Sequence, residues 1–282
     1  MLVNSNLLLN KALKEGYAVP AYNINNMEWT KYILEVCNED KAPVILGVTP
    51  KTVEYFGGYK VVYNLVKSMI EELNIRIPVV LHLDHASSFE ECKDAIDTGF
   101  TSVMIDVSDK CLDENISITS MVCEYAMKHN VSVEAELGDF GTDDSSSSDY
   151  LYAKLDDAKN FVIQTGIDAL APCIGNKHGI YKGNEKLDFD LLGAICKEVK
   201  IPLVLHGASG LDENKLKTAI FCGVAKVNIN TDLQIAWAKN VRKFLDFDKE
   251  VYDPRRIIKS GEKSLKMIIH EKNNVLGCKN KI

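Results

Sequence analysis

PVVLHLDHA, residues 78–86, begins as a near-continuous apolar run and ends in two imidazoles and a carboxylate, His82, Asp84 and His85. Short apolar runs without alternation read as strands buried on both faces, the pattern of parallel sheets covered by helices. A buried polar side chain is costly unless hydrogen-bonded, and a buried charge more so. The end of this strand therefore holds either a structural polar cluster or chemistry. Period-two geometry puts His82 and Asp84 on one face, so His85 has to bend round at the strand end.

The same kind of run recurs along the chain: AVPAYNI (18–24), PVILGV (43–48), TSVMID (101–106), VSVEAEL (131–137), DALAPCI (168–174), IPLVLH (201–206) and AKVNIN (225–230). Amphipathic stretches such as YKVVYNLVKSMIEEL (59–73) and DENISITSMVCEYAMKH (113–129) lie between them. Strands alternating with helices predict βα units and a parallel sheet. Gly99, Gly166 and Gly223 each stand just before a strand, where a left-handed residue ends the preceding helix. Eight such units fit a (β/α)8 TIM barrel, typically ~250 residues. The alternative, an open doubly wound sheet, lacks a GxGxxG turn after any strand. We expect one α/β domain over residues 1–282, with a C-terminal helical extension from about 247. The one low-complexity stretch, DDSSSSDY (143–150), follows the fifth strand and reads as a loop on the barrel's upper face. A functionless insertion is the alternative its composition allows.

Composition narrows the function classes. The chain is 46% hydrophobic and 26% charged, with a formal net charge of −7, so no global field attracts nucleic acid. An anionic substrate would need a local positive site. No apolar run reaches the ~20 residues of a membrane helix. The eight cysteines are scattered without a CxxC pair, as reduced thiols are. MLVNSNLLLNKALKEG has helical spacing and no leader pattern. These features predict a cytoplasmic protein with neither membrane nor nucleic-acid partners.

Barrel active sites lie at the C-terminal ends of the strands. Asp84 and His85 end the third strand, Glu134 and Glu136 lie in the fifth, His178 follows the sixth and His206 ends the seventh; Asn228, Asn230 and Thr231 close the eighth. Of six histidines only His129 and His270 fall on predicted helices. One histidine at a strand end is usually structural; several on one face indicate a metal. Imidazoles with a carboxylate suit Zn²⁺ with a position open to substrate, while Mn²⁺, Co²⁺ and Fe²⁺ fit the same ligand types. We assign His85 to the metal, Asp84 to acid/base work and His82 to the barrel interior. Gly179 in HGIYKG and Gly207-Ala208-Ser209-Gly210 form small-residue loops whose N–H groups can approach a phosphate, with Lys182 and Ser209 completing the cradle.

LHLDHASS, EAELG, IGNKHGIYKG, PLVLHGASG and KVNINTD follow, in order, the motifs of class II, metal-dependent ketose-bisphosphate aldolases, and the chain resembles that family from AYNINN to VYDPRR. It looks most like the fructose-bisphosphate aldolases of Gram-positive bacteria, with tagatose-bisphosphate aldolases as relatives. The resemblance implies reversible cleavage of fructose 1,6-bisphosphate to dihydroxyacetone phosphate and glyceraldehyde 3-phosphate, as in glycolysis. It implies Zn²⁺ on His85, His178 and His206, with Glu136 as a nearby carboxylate, and a monovalent cation as a second candidate ion. Asp84 would act on the C4 hydroxyl. Gly179, Lys182, Gly207, Ser209, Asn228, Asn230 and Thr231 would bind the dihydroxyacetone-phosphate end, and Asn25 and Thr49 would lie near the other portion. A homodimer or larger assembly is also implied.

Two places depart from the family pattern. Thr142 stands for the loop's usual second glycine and Asp144 for its proton-exchanging glutamate, with Asp143 as competitor. Asn176-Lys177 stands where smaller or apolar residues are usual. Gln234 in NINTDLQ matches fructose-type rather than tagatose-type relatives. The rival readings are a zinc hydrolase, since bound Zn²⁺ also activates water, and a sugar-phosphate-binding regulator without catalysis. A Schiff-base aldolase is disfavoured on the expectation that the strand cores hold no buried lysine suited to imine formation.

Overall fold

In the computed structural model, residues 1–138, 152–177, 179 and 187–282 are described. Among them, eight strands close into one parallel barrel in chain order: β1 Val19–Asn23, β2 Val44–Val48, β3 Val79–Ala86, β4 Ser102–Ile105, β5 Ser132–Leu137, β6 Ala169–Pro172, β7 Leu203–Leu205 and β8 Val224–Ile229. The barrel is closed by β8 on β1, with Ala21 opposite Asn228. Each strand lies within two residues of its expected bounds.

The helices start and stop where local chemistry dictates. Asn26, Ser88 and Asp212 cap helices Met27–Glu39, Phe89–Thr98 and Glu213–Phe221 by accepting from Trp29, Glu91 and Lys215 backbone N–H groups. The three glycines expected ahead of β4, β6 and β8 have φ of +113°, +68° and +108°. Outward strand residues such as Leu81, Val103 and Leu170 are fully buried beneath the helices. At the C-terminus, helices Pro254–Lys259 and Glu262–Val275 follow helix Thr231–Phe247. Glu262–Val275 lays Leu265 and Ile269 into the core against helices Met27–Glu39 and Thr231–Phe247.

The barrel interior is polar where an apolar layer is usual. His82 on β3, Ser102 on β4, Glu134 on β5 and Lys226 on β8 are each at most 3% exposed. This layer lies beneath the strand ends and supports the residues above it. No helix among the described residues is long and apolar enough to cross a membrane.

Candidate active site

The rim is built from the ends of β3, β5, β7 and β8. On β3 the chain bends as its parity requires: His85 has φ +55°, and the register with β4 shifts between Leu83 and Ala86. A non-glycine residue held in the left-handed region is strained, and such strain gathers at functional sites. The bend sets His85 Nδ1 2.8 Å from Asp106 Oδ2, just beyond β4. Ser108 donates to Asp106 Oδ1 at 2.8 Å and to Glu136 Oε1 at 3.3 Å. Directly after β7, His206 places Nε2 2.9 Å from Glu134 Oε1. The rings of His85 and His206 meet edge to face, centroids 4.7 Å apart.

Asp84 stands close to both. Asn23 donates to its Oδ2 at 3.0 Å and Asn228 to its Oδ1 at 3.1 Å. Ligand atoms of Asp84, His85 and His206 all lie within 4.8 Å of one another, and those of His85, Asp106 and Glu136 do the same. His178, Lys182, Asp143 and Asp144, with the loop 143–150, lie outside the described residues.

Charge at the rim is out of balance. Lys226 offsets Glu134 at 2.6 Å, which leaves Asp84, Asp106 and Glu136 facing imidazoles. Burial pushes the Asp84 carboxyl up, but His85 and Lys226 outweigh it and hold it far below the usual range. Burial opposes a charge on His85, yet Asp84 and the bond to Asp106 raise it to about 9. Burial, reinforced by Asp106, pushes the Glu136 carboxyl well above its ordinary value. Two buried acceptors, Glu136 Oε2 and Asn228 Oδ1, have no hydrogen-bond partner among the described residues. Surplus carboxylate, imidazoles turned by carboxylate partners and acceptors lacking donors fit a divalent cation.

A cavity of about 180 Å³ opens above this cluster, walled by Thr49, Asp84, His85, Gly179, Ser209 and Thr231, among others. Thr231 opens helix Thr231–Phe247, whose N-terminal N–H groups face an anion favourably. Gly207 has φ +62°, and a Cβ there would lie 1.9 Å from the Lys177 carbonyl oxygen, so only glycine fits between the two loops. Asn25 is not in the cavity wall; its Nδ2 donates to Asn230 Oδ1 at 3.3 Å. A larger cavity, about 370 Å³, lies at the opposite end of the barrel. There Asn4 is bonded to Asn130 and Asn6 to Asp168, which leaves that cavity's polar groups answered from within.

One expectation is corrected. The strand cores do hold a buried lysine, Lys226, 1% exposed on β8. It is ion-paired to Glu134 within the barrel and is not in the cavity wall, so the argument against imine chemistry rests on its pairing and position. Sequence reasoning also passed over Asp106 and Asn23. Asp106 closes TSVMID as Asp84 closes PVVLHLD, and Asn23 shares strand parity with Ala21, opposite Asn228. Asn176 is fully buried and donates to the His206 carbonyl at 2.9 Å, which gives that departure a structural reason.

A parallel barrel that gathers imidazoles, carboxylates and a glycine-lined cavity at its C-terminal rim is the build of a barrel enzyme. The family described as fructose-bisphosphate aldolase class-II matches residues 3–281. Fructose-bisphosphate aldolase from Geobacillus stearothermophilus is 48% identical over 282 residues, covering 99% of this chain and 98% of the relative. Among solved structures, the YdjI aldolase from Escherichia coli K12 has a TM-score of 0.86 at 30% identity, over 100% of this chain and 99% of that one. Fructose-bisphosphate aldolase from Campylobacter jejuni has a TM-score of 0.82 at 27% identity, over 100% and 97%. The chain belongs to the class II fructose-bisphosphate aldolase family.

Proposed function

We propose that the protein cleaves fructose 1,6-bisphosphate reversibly to dihydroxyacetone phosphate and glyceraldehyde 3-phosphate. The observation that carries this reading is the convergence of Asp84, His85 and His206 beside a cavity lined by Gly179, Ser209 and Thr231. His85 and His206, with His178, would hold Zn²⁺, and Glu136 is a nearby carboxylate that shares a second triplet with His85 and Asp106. Bound there, Zn²⁺ would act as a Lewis acid on the substrate's carbonyl.

The chain's own groups divide the remaining work. Asp84 takes the C4 hydroxyl proton; Asn23 and Asn228 each hold one of its oxygens, which fixes the carboxylate's orientation. As the C3–C4 bond breaks, its electron pair stays with C3, and a loop acid, Asp144 or its neighbour Asp143, returns a proton there. Ser209, Gly179, Gly207, Asn230, Thr231 and Lys182 bind the phosphate of the dihydroxyacetone end, aided by the N-terminus of helix Thr231–Phe247. Thr49 and Asn25 lie toward the other portion of the substrate. A monovalent cation, a homodimeric or larger assembly, a cytoplasmic location and a glycolytic role belong to the same reading and rest on family membership. So does one catalytic domain over 1–282 with a helical extension from about 247.

A coupled assay of fructose and tagatose bisphosphates, each with and without EDTA, tests the proposal. We expect triose phosphates from the fructose epimer, and none after chelation. Preference for tagatose bisphosphate would reassign the substrate. Cleavage that survives EDTA would overturn the metal chemistry.

A further inference from the structure

The barrel interior holds a polar chain to which the proposed reaction gives no task. Lys226 places its ammonium 2.6 Å from Glu134 Oε2 and 3.3 Å from His82 Nε2. An ammonium only donates. His82 Nε2 therefore accepts, and His82 Nδ1–H donates to Ser102 Oγ at 2.8 Å. The other Glu134 oxygen, Oε1, lies 2.9 Å from His206 Nε2. A carboxylate only accepts, so Nε2 carries the His206 proton and Nδ1, 3.4 Å from Asn228 Nδ2, faces the rim. The run from Ser102 to His206 crosses the barrel with Lys226 at its centre.

We propose that Lys226 is a positioning residue for His206, acting through Glu134: it fixes the carboxylate so that Oε1 meets Nε2–H and Nδ1 is presented to the metal. This rests on the reading of His206 as a metal ligand. The alternative orientation is close at hand, because Glu134 Oε2 is 3.9 Å from His82 Nε2. Without the ammonium between them, His82 competes for the carboxylate and His206 loses its orienting partner. Removing one such outer partner typically weakens metal affinity ~10–100-fold.

The test is Zn²⁺ binding to the metal-stripped full chain, by competition with a chromophoric chelator, alongside ¹⁵N NMR of the His206 tautomer in the metal-free protein. Lys226→Met should weaken Zn²⁺ binding ~10–100-fold and mix the tautomers. With Lys226 present, Glu134→Gln should also weaken binding, because the ammonium takes the amide oxygen and turns the NH₂ toward His206. If Lys226 acts through Glu134, Lys226→Met in the Glu134→Gln background should cost less than about threefold more. Zn²⁺ affinity and tautomer both unchanged in Lys226→Met overturn the proposal, as does an equal loss in both backgrounds. Should Lys226→Met fail to fold, comparing Glu134→Gln with the double variant carries the test, since the double variant buries no unpaired charge. Equal affinities support the proposal and a further loss of roughly tenfold overturns it. His206→Asn separates the two levels. Unchanged Zn²⁺ binding there overturns the metal reading itself; loss of binding there with Lys226→Met unaffected overturns only the role of Lys226.

Discussion

Two polar clusters sit one above the other in this barrel, built from the same residue types, and they differ in whether their hydrogen bonds close. In the lower one, Lys226 reaches Glu134 and His82, His82 reaches Ser102, and Glu134 takes His206; each of these donors finds an acceptor. In the upper one, Asp84, Asp106 and Glu136 crowd His85, and two buried acceptors, on Glu136 and Asn228, have no partner among the described residues. A buried network that satisfies itself reads as structure. One with surplus acceptors and surplus negative charge reads as a place for a cation. His82 and His85 make the contrast sharpest: the lower histidine is pushed down to about 3 by burial and Lys226, and the upper is raised to about 9 by its carboxylates against burial.

The largest effect should come from breaking the open cluster. His85→Ala removes a proposed ligand and leaves Asp106 Oδ2 without the imidazole 2.8 Å away. We expect zinc to be lost by elemental analysis and cleavage to fall by roughly 10⁴-fold or more, the scale of several kcal/mol of Lewis-acid stabilisation. Retained zinc at wild-type stoichiometry would remove His85 from the metal site.

Asp84→Asn should come next. It keeps the volume and one acceptor oxygen but cannot take a proton, so kcat should fall ~10²–10⁴-fold while zinc stays bound. If the variant lost zinc in step with activity, Asp84 would be a metal ligand, consistent with its place in the same triplet as His85 and His206.

The sequence made the upper cluster more legible than the lower. Strand order, helix positions and the rim residues Asp84, His85, Glu136, His206 and Asn228 follow from apolar runs, period-two parity and the rule that barrel chemistry lies at strand ends. Lys226 was legible in part. It shares parity with Asn228 and Asn230, so AKVNIN places it on the inward face. Its partner Glu134 is 92 residues away on another strand, and parity gives no height within the barrel. A lysine inside an apolar strand becomes intelligible only once closure brings β5 and β8 across from one another. The bend at His85 was expected from parity, whereas its anchor, Asp106, depends on how far β4 runs past the rim.

Ser102→Ala probes the closed cluster. It leaves the buried His82 Nδ1–H without an acceptor, which costs roughly 1–3 kcal/mol. For a chain of this size that should lower Tm by several degrees. Because Ser102 touches neither the rim nor the cavity wall, cleavage by the folded variant should stay within about threefold of wild type. A stability loss without an activity loss would confine Ser102 to support, in contrast to Lys226 and Glu134 nearer His206 in the same run. An activity loss without a stability loss would extend the positioning role of Lys226 along the run as far as Ser102.

The smallest effect belongs to Asn25. Among the described residues its side chain is not in the cavity wall and touches the site through Asn230 Oδ1, at 3.3 Å, with a longer contact of 3.5 Å to the Asn23 carbonyl. Asn25→Ala therefore removes an orienting bond of about 0.5–1.5 kcal/mol from a neighbour of the substrate. KM should rise roughly two- to tenfold, with kcat and zinc content unchanged. A kcat loss approaching that of Asp84→Asn would place Asn25 against the reacting atoms and move the edge of the open cluster outward to β1.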